Sequence, residues 1–180
     1  MKDLNTIIDQ ATNKSDLKSQ DIPELDLYMD QIMTLFENNL SDNKRFEDDK
    51  LLTKTMINNY SKAGIIKPVK GKKYTKEQII GMLLIYNLKN IISIQEIKQL
   101  LLPVYEKDLN LEVIYDQFLT IKNCQKQSLD NYLKNIVNEN QLDIENVDKR
   151  LLTVMVIAAL ANQLINTAQG IIDSFEVEDS

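Results

Sequence analysis

The chain has 180 residues, a formal net charge of −6, one cysteine and no histidine. Without histidine, imidazole acid–base catalysis, a Ser-His-Asp triad and a Cys-His dyad are excluded. One thiolate cannot supply the four ligands of a structural zinc site, and a single cysteine leaves no disulfide within the chain. The lone thiol is typical of a reducing compartment, so we predict a cytoplasmic protein.

The N-terminal segment, residues 1–22, predicts a short helix and then a polar, flexible linker. Pro23 stands where a helix tolerates proline best, and apolar residues recur every three or four positions up to Leu40. We therefore predict a helix from Pro23 to Leu40. Segment 41–49 is acidic but lacks the ligand spacing of a calcium loop, so we predict a solvated connection.

Residues 50–76 form a basic segment with eight lysines and no acidic residue. The whole chain has 21 basic and 27 acidic residues. Because none of the acidic residues lies in this segment, the rest of the chain is strongly acidic. Such a contrast predicts a basic surface that faces a polyanion while the rest of the molecule repels it. The alternative is that the lysines are only the solvated face of a helix and a loop.

The order of residues within the basic segment predicts three structural elements. Apolar residues from Leu51 follow a helical spacing that Gly64 ends as a C-terminal cap. Residues 65–74 are too few for another helix and predict a small hairpin that turns near Gly71. The sequence Thr75-Lys-Glu-Gln78 is a capping box that opens the next helix.

The second half of the chain predicts longer helices. Ser93-Ile-Gln-Glu96 is another capping box, and the short helix it opens is predicted to end at Pro103, unless Pro103 begins the next helix. Residues 113–137 keep one helical phase, which predicts a single long helix with Cys124 on its apolar side as a buried, inert thiol. A last helix is predicted from Val147 to Phe175.

The apolar run Leu151–Ala161 is shorter than the roughly 20 residues that a membrane span needs, so we predict a buried helix face and no membrane contact. The C-terminal helices carry more apolar surface than a solitary surface helix, which favours a homodimer formed through them. The alternative is that they pack on each other, or on the preceding domain, in a monomer. They could also enclose a small-molecule effector, which the sequence does not identify.

Catalysis is not predicted. The four glycines form neither of the two glycine-rich nucleotide-binding patterns, and no pair of carboxylates stands in a setting typical of acid–base chemistry. We therefore predict that the protein is not an enzyme and needs no cofactor.

The order helix, charged turn, helix, hairpin, helix, short helix is that of a winged helix-turn-helix. We predict a mainly α-helical protein with such a domain at residues 23–103, its wing a small β-hairpin, and a C-terminal helical dimerisation or effector region at 104–180. The expected contacts with double-stranded DNA are helix and wing side chains: Lys54, Thr55, Asn58, Asn59, Lys62, Lys70, Lys72, Lys73 and Lys76. Tyr60 and Tyr74 either pack between the wing and the helix or reach a phosphate.

The stretch Leu25–Leu102 resembles the DNA-binding domain of MerR-type regulators. In that family a helix ending in tyrosine and a Gly-Leu-x-x-Pro segment lead to a basic wing, an Ile/Leu-rich helix and a Ser-Leu-x-x-Ile motif. The string LTKTMINNY also resembles a family of small, uncharacterised MerR-like bacterial proteins. The matching residues are Ile57, Tyr60, Gly64, Ile65, Pro68, Lys73, Tyr74, Ile85, Leu88, Ser93, Ile94, Ile97 and Leu101.

The chain departs from the MerR pattern at two positions and in the length of its first helix and of the loop after it, which are both longer than usual. Asn58 stands where the family has a phosphate-clamping arginine, and Ile91 stands where a glycine precedes the Ser-Leu motif. No metal-sensing cysteine set follows, so a metal sensor is not expected. Asparagine pairs with adenine at N6 and N7, so we predict that Asn58 or Asn59 reads an adenine. The alternative is that both are merely polar residues on an exposed face.

The resemblance implies a sequence-specific transcriptional regulator that binds double-stranded DNA. The other hypothesis is a protein–protein interaction adaptor that keeps the winged-helix fold without binding DNA. Its lysines would then contact an acidic partner.

Overall fold

The computed structural model of the protein describes residues 3–69 and 71–175. Within them, the predicted mainly α-helical fold with a small antiparallel strand pair is confirmed. The elements in chain order are α1 Leu4–Thr12, β1 Leu27–Tyr28, α2 Met29–Leu40, α3 Lys54–Lys62, β2 Lys73–Tyr74, α4 Lys76–Leu88, α5 Ile94–Glu106, α6 Leu111–Glu139 and α7 Val147–Ser174.

The chain divides into two compact units. The main unit is Ser15–Leu119, and the terminal unit joins Met1–Lys14 to Thr120–Ser180. The expected boundaries after residues 22 and 103 both fall inside the main unit. Helix α6 begins in the main unit and ends in the terminal unit.

Helix α4 is the most deeply buried element of the main unit. Its predicted capping box is confirmed: the Thr75 hydroxyl accepts the Gln78 N–H, and the Gln78 side chain accepts the Thr75 N–H. Every residue from Gln78 to Leu83 is buried, as expected of a helix enclosed on all sides. The surrounding core residues are at most 8% exposed: Ile32, Phe36, Leu40, Ile57, Tyr60, Ile65, Ile66, Tyr74, Ile97, Leu101, Leu111 and Tyr115.

The first long helix of the main unit, α2, begins at Met29 and not at Pro23, so that prediction is wrong. Leu27 and Tyr28 are extended because they pair antiparallel with Tyr74 and Lys73. The expected hairpin had both strands within residues 65–74. The turn at Gly71 is present, with a positive φ of 82°, but the strand after it pairs with β1. The strand pair therefore ties the start of α2 to the start of α4.

Pro103 lies inside α5, neither ending a helix nor beginning one as predicted. Proline removes only one helical N–H donor, and the helix continues for another turn. That turn is anchored by Tyr105, whose hydroxyl donates to the Ile65 carbonyl at 3.0 Å. The predicted capping box at Ser93 is confirmed.

The terminal unit packs α1 against the second half of α6. Ile8, Val137 and Leu142 form its buried apolar cluster. Lys134 bridges the two helices through ion pairs to Asp9, at 2.5 Å, and to Asp130, at 2.9 Å. The single long α6 confirms its prediction, whereas Cys124 is exposed and its predicted burial is wrong. The helical pattern identified the apolar side of α6, but no described segment covers that side at Cys124.

Helix α7 confirms the predicted last helix, but the expected burial of its apolar face is wrong. Among the residues of α7, only Thr153 and Ile172 are buried, and Leu164 is 70% exposed. By length and composition alone α7 is also a candidate membrane span. This is weak support for a membrane, because core helices of soluble proteins have the same length and composition.

Candidate nucleic-acid interface

Helix α3 has sharply defined ends. The Thr53 hydroxyl caps its start by accepting the Met56 N–H at 3.1 Å. At its other end Gly64 has a φ of 73°, a left-handed conformation that glycine adopts at low cost. The Ile65 N–H then donates to the Tyr60 carbonyl at 2.9 Å, which completes a Schellman motif. These caps fix both ends of a helix of nine residues.

One side of α3 is buried and the other is polar and exposed. Ile57 is fully buried, and Tyr60 is 8% exposed. The exposed side chains recur at helical spacing, and we call them the α3 row: Lys54, Thr55, Asn58, Asn59 and Lys62. Thus the structure brings five of the predicted DNA contacts together on one face.

Most of the α3 row has no partner among the residues that the structure describes. The side chains of Thr55, Asn58, Asn59 and Lys62 make no hydrogen bond or ion pair to any residue that the structure describes. Lys54 pairs with Asp30, but both side chains are more than half exposed. Exposed ion pairs contribute about 0–1 kcal/mol, so a phosphate could replace Asp30 at little cost.

The basic residues after α3 are placed differently from one another. Lys70 lies outside the described residues. Lys72 and Lys73 are exposed beside the turn at Gly71, and the Lys73 ammonium lies 5.0 Å from the centroid of the Tyr28 ring. The β1–β2 pairing therefore sets the position of Lys73.

Lys76 differs from the exposed lysines because it forms two ion pairs within the main unit. Its ammonium lies 2.6 Å from a Glu24 oxygen and 2.9 Å from a Glu112 oxygen, and its side chain is 14% exposed. Hydrogen bonds to Glu24 and Glu112 raise the pKa of Lys76. This arrangement holds the start of α4 and leaves Lys76 poorly placed to reach a phosphate.

Tyr60 and Tyr74 are both buried, at 8% and 7% exposure. Burial raises the pKa of both phenols. This burial is what we expect if the two rings pack in the protein interior. A phosphate contact by either hydroxyl stays a prediction.

Two side chains, Gln78 and Tyr105, hold the path from α3 to β2 through long-range hydrogen bonds that the sequence did not predict. The Gln78 amide donates to the carbonyls of Lys67, at 3.1 Å, and Pro68, at 2.9 Å. The Tyr105 hydroxyl donates to the Ile65 carbonyl. Burial, and to a smaller extent the negative charge of Glu77, raises the pKa of Tyr105 to about 12. The capping box identified Gln78 as an acceptor, but no local pattern shows where its amide donates.

The described residues define a mainly α-helical protein whose main unit presents a capped, polar helix beside a small strand pair. The chain belongs to the family described as Domain of unknown function (DUF1836), which matches residues 17–118. The matched region lies within the main unit. This agrees with the resemblance to an uncharacterised family. No curated protein and no solved structure is significantly similar to the chain.

Proposed function

We propose that the protein is a sequence-specific regulator that binds double-stranded DNA through a MerR-like winged helix-turn-helix. The observation that carries the proposal is the α3 row, an exposed set of side chains that includes two lysines and no acidic residue, in a chain of net charge −6. An α-helix of this kind fits the major groove, where asparagine reads base edges and lysine contacts phosphates.

The order of elements in the main unit supports the same proposal. Helices α2 and α3 follow each other through the connection 41–53, which is longer than a usual helix-turn-helix turn, and the exposed Lys72 and Lys73 come after the second helix. The MerR resemblance covers these elements. A regulator of this kind would act in the cytoplasm, and its effector, if it has one, would be a small molecule held by the C-terminal helices.

The decisive experiment is binding of the full chain to random duplex DNA across a salt series. About five neutralised phosphates for each bound protomer should give a log–log slope near −4.5. Fluorescence anisotropy with a labelled duplex measures both the affinity and the slope. Absence of binding at low salt would contradict the proposal.

Sequence preference is expected to depend on the asparagines of the α3 row. Asn58→Ala and Asn59→Ala each remove a candidate bidentate contact to adenine, and a good contact of this kind is worth about 1–3 kcal/mol of discrimination. Binding-site selection should show that at least one variant relaxes the preference for adenine at one position. Gln95→Ala is the control, because it removes an exposed amide from α5, outside the α3 row. Unchanged preference in both asparagine variants would mean that these residues are only surface polarity.

The adaptor alternative makes a different prediction from the same lysines. An acidic protein partner would bind the basic surface, and random duplex DNA would not bind even at low salt. The salt series therefore separates the two functions.

We also propose that the C-terminal helices form a homodimer, because α7 leaves large apolar side chains exposed. Leu164→Glu should convert the dimer to a monomer, since a charge in an apolar interface must be desolvated. Light scattering measures the change, with Gln163→Glu as a control at an exposed neighbouring position. A wild-type monomer in solution would contradict the dimer, and co-sedimentation with lipid vesicles would indicate a membrane role for α7.

A further inference from the structure

A second basic feature of the main unit includes none of the predicted DNA contacts. It is a cleft of about 340 Å³ between the 43–51 connection and the C-terminal end of α4. This volume is near the lower end of small-molecule sites. Its walls carry four cations and one carboxylate: Lys44, Arg45, Lys50, Lys89 and Asp49.

The carboxylate and one of the cations already have partners. Asp49 accepts the backbone N–H groups of Arg45, at 3.2 Å, and Phe46, at 3.0 Å. Lys44 forms an ion pair with Glu37. These contacts engage the Asp49 carboxylate with backbone donors and give Lys44 a counter-ion outside the cleft lining.

The other three cations lack a counter-ion within the described part of the chain. Arg45, Lys50 and Lys89 form no ion pair with a carboxylate there. Arg45 lies over the Phe46 ring, 5.1 Å from its centroid, which leaves its forked donors available. The cleft therefore keeps a local excess of positive charge.

Lys89 is the partly buried member of this group, whereas Arg45 and Lys50 are exposed. Its ammonium donates to the Leu51 carbonyl, and burial lowers the pKa of Lys89. A partly buried ammonium without a counter-ion is unfavourable, and a bound anion would offset that cost. Lys89 is thus the cation without a counter-ion that gains most from an anionic ligand.

We propose that this cleft binds a phosphate group, with Arg45 and Lys50 at its rim and Lys89 at its floor. Three cations suit a dianion better than a single carboxylate, and the arginine fork matches phosphate oxygens. The phosphate belongs either to a small phosphorylated ligand or to the DNA backbone. DNA is a candidate source because Lys50 and Leu51 lie just before α3. This second source rests on the proposed function.

Calorimetric titration of the full chain with pyrophosphate tests the site without DNA. The double variant Arg45→Gln/Lys50→Gln changes exposed side chains and should leave the fold intact. Wild type should bind, and the double variant should bind at least about tenfold more weakly, as expected for the loss of charge-assisted hydrogen bonds. The matched control is Lys98→Gln/Lys107→Gln, which removes the same charge elsewhere in the main unit and should bind as wild type does.

A second arm uses random duplex DNA at fixed salt with the same three proteins. If pyrophosphate does not bind, but the double variant binds DNA more weakly than the control does, the phosphate comes from the DNA backbone. If neither ligand distinguishes the double variant from the control, the phosphate site is overturned. If the wild-type protein still binds DNA in that case, the proposed function is not contradicted.

Discussion

Replacement of Lys54, Lys62 and Lys72 together by glutamine is expected to lower the affinity for random duplex DNA about 500-fold for each bound protomer at 0.1 M salt. Each phosphate contact adds about 0.9 to the magnitude of the salt slope, so it is worth roughly eightfold in affinity at this concentration. The three side chains are exposed, and glutamine should leave the fold intact. Anisotropy over a salt series should show the slope change from near −4.5 to about −1.8.

A matched triple variant separates local contacts from the overall charge of the protein. Lys18, Lys98 and Lys107 lie in the main unit outside the basic segment, and their replacement by glutamine changes the net charge equally. We expect this control to lose much less affinity, because charges farther than about 8 Å from the DNA are screened at physiological salt. Equal losses in the two variants would show that the lysines of the basic segment have no special place in binding.

The features that the sequence predicted well are those set by a few neighbouring residues. The caps at Thr75 and Ser93 and the left-handed Gly64 all stand where their local patterns place them. A cap joins a side chain to a backbone group within three or four residues, so the sequence contains both partners. The α3 row followed from the same local reasoning, because the buried Ile57 and Tyr60 leave the opposite face exposed.

The features that the sequence did not predict depend on partners far along the chain. Leu27 and Tyr28 are extended because β2 pairs with them, whereas Pro23 and the apolar spacing after it predicted a helix there. Likewise, Pro103 stays inside α5 in a helix whose last turn is anchored to the distant Ile65 carbonyl. Long-range hydrogen bonds of this kind have no signature in a window of ten or fifteen residues.

Exposure of an apolar face cannot be read from its periodicity. The helical spacing in α6 and α7 correctly identified apolar sides, yet Cys124 and Leu164 lie exposed on them. A periodic pattern shows that a face is apolar, and it does not show whether the same chain, a second copy or a membrane covers it. The homodimer proposal is one answer to that question.

The second large effect is expected at Gln78, where Gln78→Leu should lower the free energy of unfolding by about 2 kcal/mol or more. Leucine has a similar size but cannot donate to the carbonyls of Lys67 and Pro68 or accept the Thr75 N–H. Partly buried backbone groups left without a partner cost about 1–3 kcal/mol each. Urea unfolding followed by circular dichroism measures the difference.

The same substitution should also weaken DNA binding, although the Gln78 side chain is buried and touches no DNA. Its amide holds the Lys67 and Pro68 carbonyls, and so it fixes the chain that leads to the exposed lysines beside Gly71. The control is Gln95→Leu, an exposed glutamine in the first turn of α5, which should change stability by less than about 0.5 kcal/mol. If both variants unfold alike, the Gln78 hydrogen bonds do not hold this segment. If Gln78→Leu loses stability but binds DNA normally, the segment after α3 contributes nothing to the interface, and α3 alone must carry it.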